Sequence, residues 1–483
     1  MTSSDFGFGI EAEFILVDSK TYKPHGYTDL DLQTLLTLVD SIPTNDISRK
    51  GFNQKPLHNQ ASPYLIEGYT LTDSEMNPVD LLPKGIEVRT PLASSLTECT
   101  NSLSVLYTRM KERLNVDGMD AAMLSYHPTL PRIDAPANYT RHDYWQWALT
   151  ATTTYGPDIN ISVPPDVAAG LDIDRINARI NYYSPSVIAL TFASPIRENS
   201  LWMVDGRVGK SYRTFERSKF APIFYVHDKP SLRFEFKGFE MSPVLSDYHA
   251  MFLISLALLL DNDLDMTASD EERIVELESL ALYGVDSPVT QARAAQVLQS
   301  AEKIAKKYSL PGSSLISFWD RLKTQQLPSD KIADTFKRTQ SVAETLRTRT
   351  DFEARTNFDA QTNFEPQTVL DTHRNFEPQT ILDTHRNFET QTILDTHRNF
   401  ETQTILDTHR NFETQTILET QRNFETQTNF EALTNLEAST SFEKTIKTQT
   451  NFDPKTSVEA RSNLETNQQL DSKRAEANEV VHR

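Results

Sequence analysis

Two glutamates in residues 9–18 have the type and spacing to hold a divalent cation. Read as a strand, this segment places one set of side chains on an apolar face, namely Phe8, Ile10, Ala12, Phe14 and Leu16. Glu11 and Glu13 then lie together on the other face. Adjacent carboxylates repel unless a cation lies between them, and magnesium prefers such oxygen ligands. The alternative is an ordinary strand with one solvated face, which antiparallel sheets often have.

Three later segments show the same alternation of apolar and polar residues. Their polar faces carry Glu87 and Arg89 in the first, Asp158, Asn160 and Ser162 in the second, and Arg233, Glu235 and Lys237 in the third. Four such strands predict an α+β fold, in which a curved antiparallel sheet has helices on its apolar back and a polar front that lines a cleft.

Helices are predicted wherever apolar residues recur at three- and four-residue spacing or capping residues mark an end. The predicted helical ranges are 96–114, 144–149, 181–194, 249–260, 270–283, 288–308, 314–323 and 329–338. Cys99 lies on the apolar stripe of the first of them. We interpret it as part of the core and not as a nucleophile, because buried thiols are usually inert.

Charge, cysteine content and hydrophobicity argue against several classes of protein. The formal net charge of −19 argues against a general nucleic-acid binder, whose footprint is basic. One cysteine cannot form an intrachain disulfide and fits a reducing compartment. The first residues show no signal peptide, and the apolar run at 250–260 is too short to span a bilayer. A soluble cytoplasmic protein without nucleic-acid or membrane partners is expected.

An ordered set of these segments resembles the glutamate–cysteine ligase family of carboxylate–amine ligases, close to its type 2 branch. The set comprises residues 9–14, 85–91, His127-Pro128, 158–162, 188–195, Ser211-Tyr212-Arg213 and 233–237. The resemblance covers roughly residues 6–310. It implies a catalytic domain of the glutamine synthetase type, with magnesium ions and ATP on the polar side of the sheet.

The implied reaction is an ATP- and magnesium-dependent ligation that belongs to glutathione biosynthesis. ATP phosphorylates a glutamate-type γ-carboxylate, and an amine such as cysteine attacks the acyl phosphate. The metal ligands implied are Glu11, Glu13, Glu87 and Glu235. The residues expected to contact the nucleotide or a further metal are Asn160, Asp158 and Arg197. The cations expected to meet phosphate or carboxylate in catalysis are Arg213, Arg233 and Lys237.

Two positions depart from the family pattern. Asp158-Ile159-Asn160 stands where type 2 members commonly have His-x-His, and Lys237 stands where arginine is usual. Lysine cannot reproduce the two-pronged contact of arginine. A second interpretation therefore stays open, in which a catalytically altered or inactive relative acts as a binding or scaffold protein through its tail. The expected partners are small-molecule substrates, and a homo-oligomer stays open as well.

The chain changes character after about residue 345. A six-residue unit with one large apolar residue and one following acid repeats from residue 357 to near residue 474. A six-residue period keeps the apolar residues on one face of an extended chain but not on one face of a helix. The polar, threonine-rich composition favours a disordered or loosely extended tail, with a β-solenoid as the alternative. We therefore predict two domains, a ligase-like catalytic domain at 1–340 and a repeat tail at 341–483.

Overall fold

A seven-stranded antiparallel sheet organises the folded part of the chain. The computed structural model describes residues 6–353, apart from 74, 76, 130–152, 220 and 228–231. Its strands are β1 Gly7–Asp18, β2 Tyr64–Thr72, β3 Pro78–Arg89, β4 Met119–Ala122, β5 Pro157–Ser162, β6 Ile196–Arg197, β7 Ser200–Leu201, β8 Met203–Val204, β9 Arg207–Val208, β10 Phe224–His227 and β11 Arg233–Phe236. The main sheet has the order β10-β11-β5-β1-β3-β2, with β4 also paired to β1, while β6–β7 and β8–β9 form two small hairpins.

Strand β1 lies in the middle of this sheet. It pairs with β3 and β5, and its last four residues pair with β4. The side chains of Phe8, Ile10 and Phe14 are almost fully buried, while those of Glu11 and Glu13 on the opposite face are partly exposed. The alternation seen in the sequence therefore sets which face meets the core, because a strand turns successive side chains to opposite sides.

The described helices pack against the sheet and against one another. They are α1 Leu32–Asp40, α2 Leu96–Val116, α3 Pro165–Ala168, α4 Ile173–Ile188, α5 Tyr212–Arg217, α6 Leu245–Leu260, α7 Asp270–Tyr283, α8 Pro288–Tyr308, α9 Ile316–Thr324, α10 Pro328–Thr339 and α11 Val342–Arg347. The ring of Phe14 in β1 meets Tyr107 of α2 at 4.7 Å, and Phe8 meets Phe252 of α6 edge-on at 5.4 Å. These contacts join sheet and helices in one buried core.

The predicted antiparallel sheet with helices behind it is confirmed for the described residues. Cys99 is buried in the core, as expected. The predicted helix at 181–194 begins earlier, at Ile173, and ends at Ile188 before a 3-10 turn at Ala189–Thr191. Strand β2 was not predicted. The predicted helix at 144–149 and the repeat tail lie outside the described residues. None of the described helices combines the length and hydropathy that a bilayer span requires.

The described structure continues past residue 340, where the catalytic domain was predicted to end. The backbone carbonyl of Arg349 accepts a hydrogen bond from Met123, and the carbonyl of Thr350 accepts one from the hydroxyl of Tyr107. The buried guanidinium of Arg349 donates to the carbonyls of Met123 and Met241 at 2.6 and 3.3 Å. Residues 341–353 are therefore part of the folded unit. The division of the whole chain into a catalytic domain and a repeat tail remains a prediction.

The substitution Arg349→Ala is expected to lower the free energy of unfolding by about 2–3 kcal/mol, because two buried carbonyls lose their donor. Urea unfolding followed by circular dichroism measures this change. Arg347→Ala is the matched control: its side chain is largely exposed and, within the described part of the chain, pairs with Glu344 alone, so a loss below about 1 kcal/mol is expected. Equal losses in the two variants would contradict a specific role for Arg349.

Candidate active site

The strand register gathers the predicted acids on one face of the sheet. Glu13 of β1 lies opposite Glu87 of β3, and Glu11 of β1 lies opposite Asp158 of β5. One strand further, Asn160 of β5 lies opposite Glu235 of β11. Residues that are far apart in sequence thus become neighbours because four adjacent strands turn their polar faces the same way.

These acids form two groups of three. The first triad consists of Glu13, Glu67 and Glu87, and the second triad consists of Glu11, Asp158 and Glu235. In each triad, one carboxylate oxygen from every residue lies within 4.8 Å of the other two. All four predicted metal ligands belong to a triad, and Asp158, predicted as a nucleotide or metal contact, belongs to the second.

One member of the first triad, Glu67, and the lysine that pairs with the triad, Lys84, were not singled out by the sequence. Glu67 comes from β2, and Lys84 comes from β3 just before the Gly85–Arg89 segment. The Lys84 ammonium lies 3.2 Å from Glu13 and 3.7 Å from Glu67, and it donates to the carbonyl of Thr154 at 2.5 Å. Glu67 lies in a segment without clear alternation, so the sequence does not indicate which face it occupies. Lys84 lies in a largely apolar strand, and a lysine there could have indicated a buried ion pair.

Glu87 is the acid of the first triad with the least compensation. Among the described residues, no lysine or arginine comes within ion-pair distance of its carboxylate. Burial, together with the carboxylates of Glu11, Glu67 and Glu13, raises the pKa of Glu87 well above its usual range. Burial alone would lower the pKa of Lys84, but Glu13 and Glu67 outweigh that effect and raise it. Lys84 is therefore charged and compensates Glu13 and Glu67. Glu87 is the acid of this triad that a bound cation would stabilise most.

Lys237 and Arg233 provide the cations of the second triad. The Lys237 ammonium contacts the carboxylate of Asp158 and lies 2.5 Å from that of Glu235. The Arg233 guanidinium donates to the side-chain oxygen of Asn160 and lies 3.9 Å from Glu235. The structure therefore brings together five predicted residues that come from two adjacent strands and the residue just after β11.

The pKa values of the second triad reflect this mixture of burial and charge. Burial opposes ionisation of Glu235, but Lys237, His227 and Arg233 lower its pKa to about 2. Burial raises the pKa of Asp158 to about 7, with Lys237 opposing and Glu13 and Glu235 adding to the effect. Lys237 itself is held charged, because the two carboxylates raise its pKa despite burial.

His227 is another member of the site that the sequence did not reveal. It ends β10, the edge strand next to β11, and its Nε2 lies 2.6 Å from the second carboxylate oxygen of Glu235. Only the pairing of β10 with β11 places it there, opposite Arg233. No pattern in the sequence around His227 predicted a strand or a site.

Arg213 lies at the side of the acid face and contacts the chain that follows β11. Its guanidinium is buried and donates to the carbonyls of Lys237 and Gly238 at 3.1 and 3.2 Å. Burial lowers the pKa of Arg213 to about 10. A Cβ at Gly156 would approach the guanidinium to 2.3 Å, so this position needs glycine for space. Arg213 thus supports the backbone that carries Lys237.

The helix that carries Arg213 is fixed by a buried glutamate, Glu240. Its carboxylate accepts hydrogen bonds from the Ala193 amide at 2.6 Å and from the hydroxyls of Ser194, Ser211 and Thr214. One carboxylate therefore joins two segments that carried the family resemblance, 188–195 and the start of α5. The sequence drew attention to both segments but not to the acid between them.

Arg197 is the predicted site residue that these contacts do not bring to either triad. Its guanidinium pairs with neighbouring Glu198 at 2.7 Å and lies over the ring of Tyr212 at 4.6 Å. Neither partner is one of the clustered acids. Its expected contact with the nucleotide stays a prediction.

The donor groups of both triads suit magnesium. Ligand oxygens on one octahedral magnesium ion lie about 3–4 Å apart. The ligand oxygens of each triad lie within 4.8 Å of one another, and small side-chain rotations would bring them to these separations. Carboxylates are also the oxygen donors that this ion prefers. A sheet face with two such triads has the geometry to bind divalent ions.

A family comparison agrees with the sequence motifs. Residues 7–202 match the model of "Glutamate-cysteine ligase family 2 (GCS2)". This range contains β1, β3 and β5, and hence Glu11, Glu13, Glu87 and Asp158. The resemblance to that family is confirmed. No curated protein sequence matches the chain.

Several solved structures are similar to the chain. A bifunctional glutathione synthetase from Pasteurella multocida has 13% identity and a TM-score of 0.49, over 72% of this chain and 52% of that one. The chain thus spans about half the length of that protein. A glutamate–cysteine ligase from Francisella tularensis in complex with AMP has 12% identity and a TM-score of 0.48, over 71% of this chain and 88% of that one. The ligase PafA, solved with the prokaryotic ubiquitin-like protein Pup, has 11% identity and a TM-score of 0.44, over 80% of this chain and 83% of that one.

Proposed function

We propose that the chain is an ATP- and magnesium-dependent carboxylate–amine ligase that joins a glutamate-type γ-carboxylate to an amine such as cysteine. The observation that carries this proposal is the pair of carboxylate triads that β1, β2, β3, β5 and β11 bring to one face of the sheet. The family match over residues 7–202 supports the reaction class.

In the proposed reaction the γ-phosphoryl group of ATP moves to the substrate carboxylate, and ADP leaves. The amine then attacks the acyl phosphate, and inorganic phosphate leaves as the amide forms. Phosphoryl transfer asks the protein mainly to position the reactants and to neutralise charge. Magnesium held by the triads, when bound, would offset the charge of the phosphate oxygens.

The chain's own cations would complete the site. Arg233 lies at the rim with its side chain about one-third exposed, so it is placed to meet a phosphate or a substrate carboxylate. Lys237 stays charged within the second triad and would orient Asp158 and Glu235. We assign Arg213 the role of a positioning residue, because its guanidinium is engaged by backbone carbonyls. Asn160 holds Arg233 through its side-chain oxygen.

The proposal is tested by incubating the purified full chain with MgATP, glutamate and a panel of amines. We expect ADP and a new amide, measured by a coupled assay and by mass spectrometry. Glu13→Ala should reduce ADP formation about 100-fold or more, because the first triad loses a ligand. Glu344→Ala, at an exposed ion pair outside the site, should leave it unchanged.

Two results would contradict the proposal in different ways. Unchanged turnover in Glu13→Ala would reject the metal assignment. No ADP formation by the wild-type chain with any amine would reject the ligase activity, and would leave the interpretation as a binding or scaffold protein.

A further inference from the structure

The two acid triads differ in the positive charge that the chain already supplies to them. In the first triad, Lys84 pairs with Glu13 and Glu67 but not with Glu87. In the second triad, Lys237 lies between Asp158 and Glu235, and Arg233 approaches Glu235 from the other side. The similar ligand sets therefore have different cation requirements.

Charge matching makes the difference concrete. With every acid ionised, as metal ligation requires, three carboxylates and one ammonium leave two uncompensated negative charges in the first triad, which one divalent cation neutralises. Three carboxylates, one ammonium and one guanidinium leave a single negative charge in the second triad. A divalent cation there would meet the Lys237 ammonium at contact distance, and like charges so close repel strongly in a partly buried site.

Lys237 is held in place by its backbone as well as by its side chain. Its amide donates to the carbonyl of Ile223 at 2.9 Å, and its own carbonyl accepts from Arg213 at 3.1 Å. Its ammonium also lies 5.9 Å from the centre of the Tyr225 ring, within cation–π range. The backbone contacts fix the position of the main chain, and moving the ammonium out of the triad would break its contacts with Asp158 and Glu235.

We propose that the Lys237 ammonium is a permanent cation of the second triad and takes the position that a divalent ion would otherwise occupy there. The inference rests on the proposed function, since it assumes that the first triad binds a divalent ion. It assigns the divalent ion of the nucleotide-free chain to the first triad. The metal content of the site is then set partly by a side chain of the protein itself.

Counting bound Mn²⁺, used as a probe for magnesium, tests this inference in the full chain without nucleotide. Equilibrium dialysis with electron paramagnetic resonance of free Mn²⁺ gives the number of ions per chain. Lys237→Met should bind one more ion than the wild type, because the second triad becomes free. Lys237→Arg, which keeps the charge, should bind the same number as the wild type.

Lys111→Met is the matched control for loss of a bridging lysine. The Lys111 ammonium also contacts two acids, Asp120 at 3.7 Å and Asp351 at 2.5 Å, but no third acid of the described residues completes a triad there. We expect no additional ion in this variant. Contributions from residues 354–483 are common to every protein in the comparison and cancel in the difference.

Each outcome decides the matter. An equal ion count in Lys237→Met and the wild type overturns the inference, and so does a gain in Lys237→Arg or Lys111→Met. If circular dichroism shows that Lys237→Met is unfolded, Lys237→Gln takes its place in the test. Glutamine removes the charge but keeps a hydrogen-bond donor. If the proposed function is wrong, the result is different: the wild-type chain then binds no divalent ion that is lost on substitution of Glu87.

Discussion

Replacing Glu87 by glutamine is expected to reduce Mg²⁺-dependent ATP turnover about 100-fold or more while making the metal-free fold more stable. Glu87 belongs to the first triad, so the variant loses a charged ligand that the proposed reaction needs. The same carboxylate is buried and, among the described residues, lacks an ion-pair partner, so removing its charge also relieves repulsion. Activity and stability should therefore move in opposite directions.

The stability gain has a defined pH dependence. The pKa of Glu87 is raised in the folded chain by burial and by neighbouring carboxylates. The folded chain therefore holds this proton to higher pH than the unfolded chain, and stability is lost as pH rises above the ordinary value of 4.5. With metal removed by a chelator, Glu87→Gln should melt about 2–4 °C higher than the wild type near neutral pH, a difference of about 1 kcal/mol.

Below that ordinary value the two melting temperatures should converge, because Glu87 is then protonated in both states. Thermal melts followed by circular dichroism at two pH values measure this convergence. Added Mg²⁺ should raise the melting temperature of the wild type and not that of the variant. The exposed substitution Glu344→Gln should show neither effect. A lower melting temperature for Glu87→Gln without metal would show that Glu87 is compensated in the folded chain.

The second large effect is expected from Glu240→Ala, which should lower the free energy of unfolding by about 3 kcal/mol or more. This carboxylate is fully buried, and its removal leaves the Ala193 amide and the hydroxyls of Ser194, Ser211 and Thr214 without an acceptor. Buried donors left unsatisfied cost more than the hydrogen bonds contributed. Urea unfolding measures the loss directly.

Glu216→Ala is the comparison for this prediction. Glu216 lies on the same helix, α5, and accepts one hydrogen bond, from the hydroxyl of Tyr212. A loss of about 1 kcal/mol is expected there. Similar losses in the two variants would show that the hydrogen bonds around Glu240 do not fix the segments it joins.

The strands with clear alternation were predictable from the sequence because a single rule governs them. In β1, β5 and β11 every second residue is apolar, so the face that meets the core could be read directly. That rule placed Glu11, Glu13, Asp158 and Glu235 on polar faces before their partners were known. Because one antiparallel sheet was predicted, these polar faces were also expected to lie on the same side of it.

The residues that were missed depend on pairing that no local pattern encodes. Strand β2 begins with a buried run, Tyr64 to Ile66, and its pairing with β3 shifts register at Glu67 and Gly68. Without a regular period, Glu67 could not be assigned to a face. His227 reaches Glu235 only because β10 forms the sheet edge next to β11. Glu240 lies after a strand, where the sequence has no marker of its hydroxyl partners.

The central position of β1 has a consequence for biosynthesis. It leaves the ribosome before its partners do, and the partner strand β5, opposite Glu11 at Asp158, is made about 150 residues later. At translation rates of about 5–20 residues per second, the nascent strand waits roughly 8–30 s for that partner. Non-local pairing of this kind also folds slowly. Strand β3 can cover one edge of β1 earlier, but the edge that pairs with β5 stays open for the whole interval. We therefore expect chaperones that shield open strand edges to raise the yield of folded chain.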